Sequence, residues 1–353
     1  MKILKRPFFV LLWTTLPLAL TGIAFSVFAT DDDFGPIGRA RHTIKHGVAF
    51  ETELPTEARF TSSRKSNVVL QLPTKDDSFS FIIFGDRAAG QPEGLSILAD
   101  AVYEANLIAP DFVITVGDMV QGYNEATEWL EQMREYKSIM NELKVPWFPV
   151  AGNHDMYWSP QNDDSVRPER EHEALYEEHF GPLWYAFEHK NCWFIVLFTD
   201  EGDSEGKKEL SPEAQKMSDE QFQWLQSTLQ KAKDAKHVFI FQHHPRWREG
   251  RYGNDWDRVH QLFVQAGNVR AVFAGHIHRM HYETKDGIEY FTLAVTGGNI
   301  SANAKPEEGV LHHVNQVVVR DKQYGITAIP VRSLMDPRSI PRPVSCIQCH
   351  SPS

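Results

Sequence analysis

The chain has 353 residues, 42% of them hydrophobic and 24% charged, with a formal net charge of −11. This is the composition of an ordinary globular protein, long enough for one large domain or two smaller ones. The acidic balance argues against a broad nucleic-acid footprint, which needs a basic face, but it leaves room for a small phosphorylated ligand if metal ions supply positive charge locally.

Residues 1–29 read as a signal peptide. Lys2, Lys5 and Arg6 make a basic start, an apolar run extends from Pro7 to Phe28, and Val27-Phe28-Ala29 offers a cleavage site after Ala29. The same run is long enough for an uncleaved anchor, although Thr14, Thr15, Pro17 and Thr21 weaken that alternative. If the signal is cleaved, no stable membrane span remains, and in either case the folded part is exported, to the periplasm of a Gram-negative cell. Residues 30–76 are a polar N-terminal arm with one short strand expected at Val68–Leu72. The main domain is expected over 77–333.

Within that domain, short apolar runs alternate with helical spacing. Buried strands are expected at Phe79–Phe84, Phe112–Val116 and Trp147–Val150, separated by helices over Leu95–Leu107 and Glu125–Leu143. The alternation implies an α/β fold with parallel strands. Residues 156–170 are polar and irregular, as a loop would be. Trp184–Phe187 and Cys192–Phe198 read as a hairpin, and Cys192 as a buried core thiol. A helix is expected from Ser218 to Lys231, with Ser218 and Gln221 forming a capping box. Strands Val238–Phe241 and Ala271–Ala274 flank a helix over Asp255–Ala266. The segments 280–285, 289–296, 314–320 and 324–329 alternate and are expected to form an antiparallel closing sheet.

Chemistry-bearing residues gather where the apolar runs stop. Asp86 follows the first strand, Asp118 the second, and Asn153, His154 and Asp155 the third; His243 and His244 follow the strand ending at Phe241, and His276 and His278 the one ending at Ala274. Ligands bind beyond the carboxyl ends of strands in open α/β sheets. Carboxylate, amide oxygen and imidazole are the ligand mixture of metals that activate water. The pattern points to metal-assisted hydrolysis of a phosphate ester.

In order, Gly85-Asp86, Gly117-Asp118-Met119-Val120, Gly152-Asn153-His154-Asp155, His243-His244-Pro245 and Gly275-His276-Ile277-His278 resemble the calcineurin-like metallophosphoesterase family, over about residues 79–330. The resemblance implies a four-layer α/β/β/α sandwich of two mixed sheets flanked by helices. It implies two divalent or trivalent ions (Fe, Mn or Zn) bridged by Asp118. Asn153, His243 and His276 would hold one, Asp86 and His278 the other, and His154 would act on a small phosphorylated substrate as general acid or electrostatic clamp. His243 is preferred to His244 as ligand because the family's ligand stands two residues before the proline. Asp155 is expected either to orient the His154 ring or to serve as a cap. Loop residues Tyr157, Trp158, Arg246, Trp247 and Arg251 are candidates to contact a leaving group.

The chain departs from the family at the first block. Many members carry a His where Ala88 stands. The purple acid phosphatase branch also lacks it and uses a Tyr where this chain has Gln121; Tyr123 is not an obvious replacement. The second ion is therefore either weakly held or completed by water and phosphate. Arg87 could take a phosphate oxygen bidentately or be structural. A non-catalytic metal-binding or redox protein built on a degenerate domain is the alternative reading.

Residues 334–353 form a Pro-rich tail. In it, Cys346-Ile347-Gln348-Cys349-His350 matches the pattern for covalent c-type haem, with His350 as axial ligand and a redox partner implied; a small disulfide or a chance tail motif is the other reading.

Overall fold

The computed structural model describes residues 52–53, 72–73, 78–88, 90, 92–156, 171–201, 216–248 and 256–339. The signal segment, most of the arm, the C-x-x-C-His motif with Cys346, Cys349 and His350, and the loop residues Tyr157, Trp158 and Arg251 lie outside the described residues. Two short strands, β1 (Thr52–Glu53) and β2 (Leu72–Pro73), pair antiparallel.

The first main sheet contains β3 (Phe79–Phe84), β4 (Phe112–Thr115) and β5 (Trp147–Phe148), which run parallel to one another. Helices α1 (Gly94–Ile108) and α2 (Ala126–Met140) connect them. After α3 (Asn153–Met156) and α4 (Glu171–His179), the chain builds the second sheet from β6 (Tyr185–His189), β7 (Cys192–Val196), β8 (His237–Phe241), β9 (Val269–Ala274), β10 (His281–Lys285) and β11 (Ile288–Thr292), with α5 (Asp219–Lys231) and α6 (Trp256–Ala266) between strands. Then β12 (His313–Arg320) and β13 (Gln323–Pro330) return to the first sheet. The sheet orders are β13-β12-β3-β4-β5 and β10-β11-β9-β8-β7-β6.

Both sheets are mixed, and their central strands β3, β4, β7, β8 and β9 are buried on both faces and read as near-continuous apolar runs, whereas the edge strands β10 and β13 are largely exposed. In β3, Phe79, Phe81 and Ile83 face a core shared with Phe194, Val196, Phe239, Phe241 and Phe273 of the second sheet. Ile82 and Phe84 face the opposite way, against Leu98, Val102, Trp129 and Met133 of α1 and α2. On the far side, Leu225 and Leu229 of α5 and Val259 and Phe263 of α6 cover Ile195, Ile240 and Val272. This is the expected four-layer α/β/β/α sandwich.

Two local expectations change. The four final segments do not close one antiparallel sheet: β10 and β11 extend the second sheet, with β11 parallel to β9, while β12 and β13 extend the first. Alternation alone carries no partner information, so it could not assign them. The capping box at α5 is half formed. Ser218 Oγ accepts from Gln221 N at 3.0 Å, but Glu201 takes the Ser218 N–H at 2.5 Å, and the Gln221 amide donates to the Phe198 carbonyl at 2.9 Å.

The centre of the inter-sheet core is aromatic. The Phe194 ring meets Phe112 edge-on at 4.9 Å and Phe81 edge-on at 5.2 Å, and stacks on Phe187 at 5.0 Å. Edge-to-face and offset pairs at these separations add to the burial term. Phe194→Ala is expected to lower unfolding stability by about 3–5 kcal/mol, read from denaturant midpoints at unchanged slope.

Candidate metal centre

Ligand residues stand immediately beyond β3, β4, β5, β8 and β9 in chain order, and the two packed sheets bring them together. Asp86 is fully buried. Its carbonyl accepts from Thr296 N at 2.9 Å and Gly298 N at 3.0 Å, which ties this loop to the segment after β11. Its Oδ2 accepts from His276 N at 2.7 Å and from His278 Nε2 at 3.2 Å. Its Oδ1 is buried without a hydrogen-bond partner. Gly275 makes this approach possible, since a Cβ there would stand 2.0 Å from Asp86 Oδ1.

Asp118 follows Gly117, whose φ is +99° and whose Cβ would lie 2.6 Å from His243 Nδ1. Asp118 itself has φ +56°, and His276 and His278 have φ +69° and +52°. Left-handed backbone at non-glycine residues is costly and clusters at functional sites. Asp118 Oδ1 lies 3.2 Å from His243 Nε2 and accepts the His154 backbone N–H at 2.9 Å.

Asn153 Oδ1 lies 2.9 Å from His243 Nε2 and 2.9 Å from His276 Nδ1, and the two imidazole nitrogens are 3.3 Å apart. Ligand atoms about 2.1 Å from one cation and at right angles to each other are about 3 Å apart, so this triangle has the dimensions of one coordination face. His243 Nδ1 donates to the Val116 carbonyl at 2.8 Å, which directs Nε2 inward. The ligand atoms of Asp86, Asp118 and His278 form a second group lying within 4.8 Å of one another. The unpartnered Asp86 Oδ1 and the mixed oxygen and imidazole donors fit the binding of metal ions.

His244 also belongs near this cluster. One of its ring nitrogens lies within 4.8 Å of those of His243 and His276. Thr199 holds it: the hydroxyl is 3.0 Å from His244 Nδ1 and accepts the His244 backbone N–H at 3.0 Å.

Asp155 does not orient the His154 ring. Its Oδ2 accepts from Asp118 N at 2.9 Å and Gly152 N at 2.8 Å, and its Oδ1 from Met119 N at 2.9 Å and Val120 N at 3.1 Å. The His154 ring instead presents Nδ1 to the Gln121 carbonyl and sits edge-on to Tyr123 at 4.7 Å. Arg87 is also placed differently from a phosphate clamp. It is 6% exposed, Nε and one terminal nitrogen lack partners, and burial pulls its pKa down, opposed by Tyr136 and Glu135 of α2. Arg246 donates to the Thr199 carbonyl and Trp247 packs against Tyr290, so both belong to the interior. The Gln121 amide donates to the Gly90 carbonyl at 2.8 Å, and Ala88 is fully buried. Among the described residues, neither position supplies the ligand that Asp86, Asp118 and His278 lack.

Sequence reading passed over three supports of the site. Gln132 Oε1 accepts from Gln121 N at 3.0 Å, Thr199 holds His244, and the Tyr123 hydroxyl accepts from Asn153 Nδ2 at 2.9 Å. None of them carries a local motif.

The chain matches the family described as calcineurin-like phosphoesterase over residues 79–280. It belongs to that family. This phosphoesterase is 26% identical over 244 residues to a zebrafish (Danio rerio) serine/threonine-protein phosphatase named CPPED1, covering 65% of this chain and 74% of the relative. It is 29% identical over 207 residues to a probable glycerophosphodiester phosphodiesterase, GpdQ, of Arcobacter nitrofigilis, covering 56% of this chain and 67% of the relative. Among solved structures, a dimetal phosphatase from Danio rerio shares the fold, with a TM-score of 0.51 and 18% identity over 72% of this chain and 99% of that one. The chain is a hydrolase acting on phosphoric esters.

The electrostatics set the proton cost of metal loading. Burial alone would raise the Asp118 pKa, but His243 and His154 hold the carboxylate well below its usual range. Burial disfavours a charged His243, yet Asp118 outweighs it and pushes the imidazole up to about 10. Metal-free His243 is therefore protonated at neutral pH and must lose a proton to become a ligand. Metal binding between pH 6 and 8 is expected to release protons, with apparent affinity rising about tenfold per pH unit for each proton displaced. Calorimetric titration in buffers of differing ionisation heat measures this. A buffer-independent heat would show that His243 is neutral or is not a ligand.

Proposed function

We propose that this phosphoesterase hydrolyses mono- or diesters of small phosphorylated molecules at the Asp118-centred cluster, and that it works after export, in the periplasm. The carrying observation is the convergence on Asp118 of two donor groups, with His154 tied to the same carboxylate through its backbone N–H. Asn153, His243 and His276 would hold one ion with Asp118; Asp86 and His278 would hold the other with Asp118. When bound, the ions polarise the phosphoryl group and lower the pKa of an attacking water.

The chain's own contribution is orientation and a proton. With Nδ1 donating to the Gln121 carbonyl, Nε2 of His154 is left facing the substrate and carries a transferable proton in the imidazolium form, which can pass to the departing oxygen. In its charged form the same atom holds a phosphoryl oxygen by a charge-assisted bond. The ligand missing at Ala88 is the one feature that favours the non-catalytic alternative; it affects one side of the cluster, and the retained Asp118 and His154 and the complete Asn153, His243 and His276 triangle support catalysis. Export is supported by the basic start and apolar run of residues 2–28. Among the described residues, no helix is long and apolar enough to cross a membrane.

His154→Ala is expected to lower kcat by about 10²–10⁴-fold at unchanged metal content, with a larger loss for alkyl esters than for nitrophenyl esters. Equal losses for both leaving groups would favour the clamp over the acid. We also propose covalent haem at Cys346 and Cys349, on the strength of the complete C-x-x-C-His motif. A Soret band that survives denaturation is expected from a haem-competent host. A colourless protein from that host would refute attachment.

A further inference from the structure

Asn153 can serve as a metal ligand only if its carboxamide points one way. The oxygen and nitrogen ends of a primary amide have nearly the same size and shape, but only the oxygen has a lone pair to offer a cation. A half-turn about the last side-chain bond would place an NH₂ group against His243 and His276 and abolish that ligand. Packing cannot distinguish the two orientations; a hydrogen bond can.

We infer that Tyr123 is a positioning residue, whose hydroxyl holds the nitrogen end of Asn153 and so turns the oxygen end toward His243 and His276. The contacts are on opposite ends of one amide. Nδ2 donates to the Tyr123 hydroxyl at 2.9 Å, while Oδ1 stands 2.9 Å from each imidazole nitrogen. The backbone holds Tyr123 in place. Its φ is +53°, it follows Gly122 at φ +64°, and the Gly122 N–H donates to Gln132 Oε1 at 3.3 Å. A Cβ at Gly122 would stand 1.8 Å from the His154 carbonyl oxygen, so this turn lies directly against the ligand-bearing loop. The edge-on contact of the Tyr123 ring with His154, at 4.7 Å, makes one side chain the support of both the amide and the proton donor.

The inference rests on the metal-centre reading, and a double-mutant design separates the two. Metal-free protein is titrated calorimetrically with Mn(II). Tyr123→Phe keeps the ring and removes the hydroxyl, and is expected to weaken Mn(II) binding by about 10–100-fold, with the melting temperature of the metal-free protein unchanged. Asn153→Asp makes both ends oxygen, so orientation no longer matters. In that background Tyr123→Phe is expected to change Mn(II) affinity by less than about twofold. An equal loss in both backgrounds would overturn the proposal in favour of a packing role. No loss in the native background would overturn it outright. If iron(III)-loaded protein shows a phenolate charge-transfer band that Tyr123→Phe abolishes, Tyr123 is a ligand and the positioning role is wrong. Unchanged Mn(II) binding in Asp118→Asn would remove the metal centre itself, and the proposal with it.

Discussion

The carboxylate of Asp155 is the constraint on which the site's geometry depends. It accepts from the backbone N–H groups of Asp118, Met119, Val120 and Gly152, which belong to the turns after β4 and β5. Those turns carry Asp118 and Asn153. Without such an acceptor, a run of successive buried N–H groups would be unsatisfied, and each would cost on the order of 1–3 kcal/mol. Hydrogen bonds to an ionised acceptor are roughly twice as strong as neutral ones, so one side chain holds Asp118 in its left-handed conformation. Burial and the neighbouring Asp118 charge oppose this arrangement by pushing the Asp155 pKa up to about 7, while the backbone donors pull it down.

The two sheets meet this constraint from opposite sides. The turns after β3, β4 and β5 bring carboxylates and an amide; those after β8 and β9 bring imidazoles. Aromatic packing between the sheets sets how closely these edges approach. Small residues then decide whether the groups can touch. At Gly275 and Gly117 any side chain would displace Asp86 or the His243 ring. A methyl group at either position would act on the chemistry without touching a substrate.

Negative charge gathers at the centre of an already acidic chain. Asp86, Asp118 and Asp155 are all buried. Such a group is tolerated only when cations or hydrogen bonds compensate it. Asp155 has its four N–H groups, Asp118 has His243, and Asp86 has His278 beside it, whose pKa stays above its ordinary value because Asp86 outweighs the effect of burial. The compensation is uneven. The side with Asn153, His243 and His276 forms a closed triangle, whereas the side with Asp86 retains a buried oxygen without a partner.

The ligand blocks were legible in the sequence because each is a short local motif at the end of a buried strand, where strand position and side-chain chemistry reinforce one another. The four-layer architecture followed from resemblance to a family rather than from periodicity. For Asp155 and Arg87 the sequence left two roles open, and the structure selects the capping carboxylate for one and the buried structural guanidinium for the other, because a charged group beside a ligand has several possible neighbours and only the folded chain selects among them. The sheet membership of β10 to β13, the hold of Thr199 on His244 and the contact of Tyr123 with Asn153 had no signal in the chain. By itself, then, the sequence determined which chemistry could occur and where along the chain its groups would stand, because ligand identity and strand ends are local properties. Only the tertiary structure decided which groups face one another, because those contacts join residues separated by tens to nearly two hundred positions and depend on how two sheets pack.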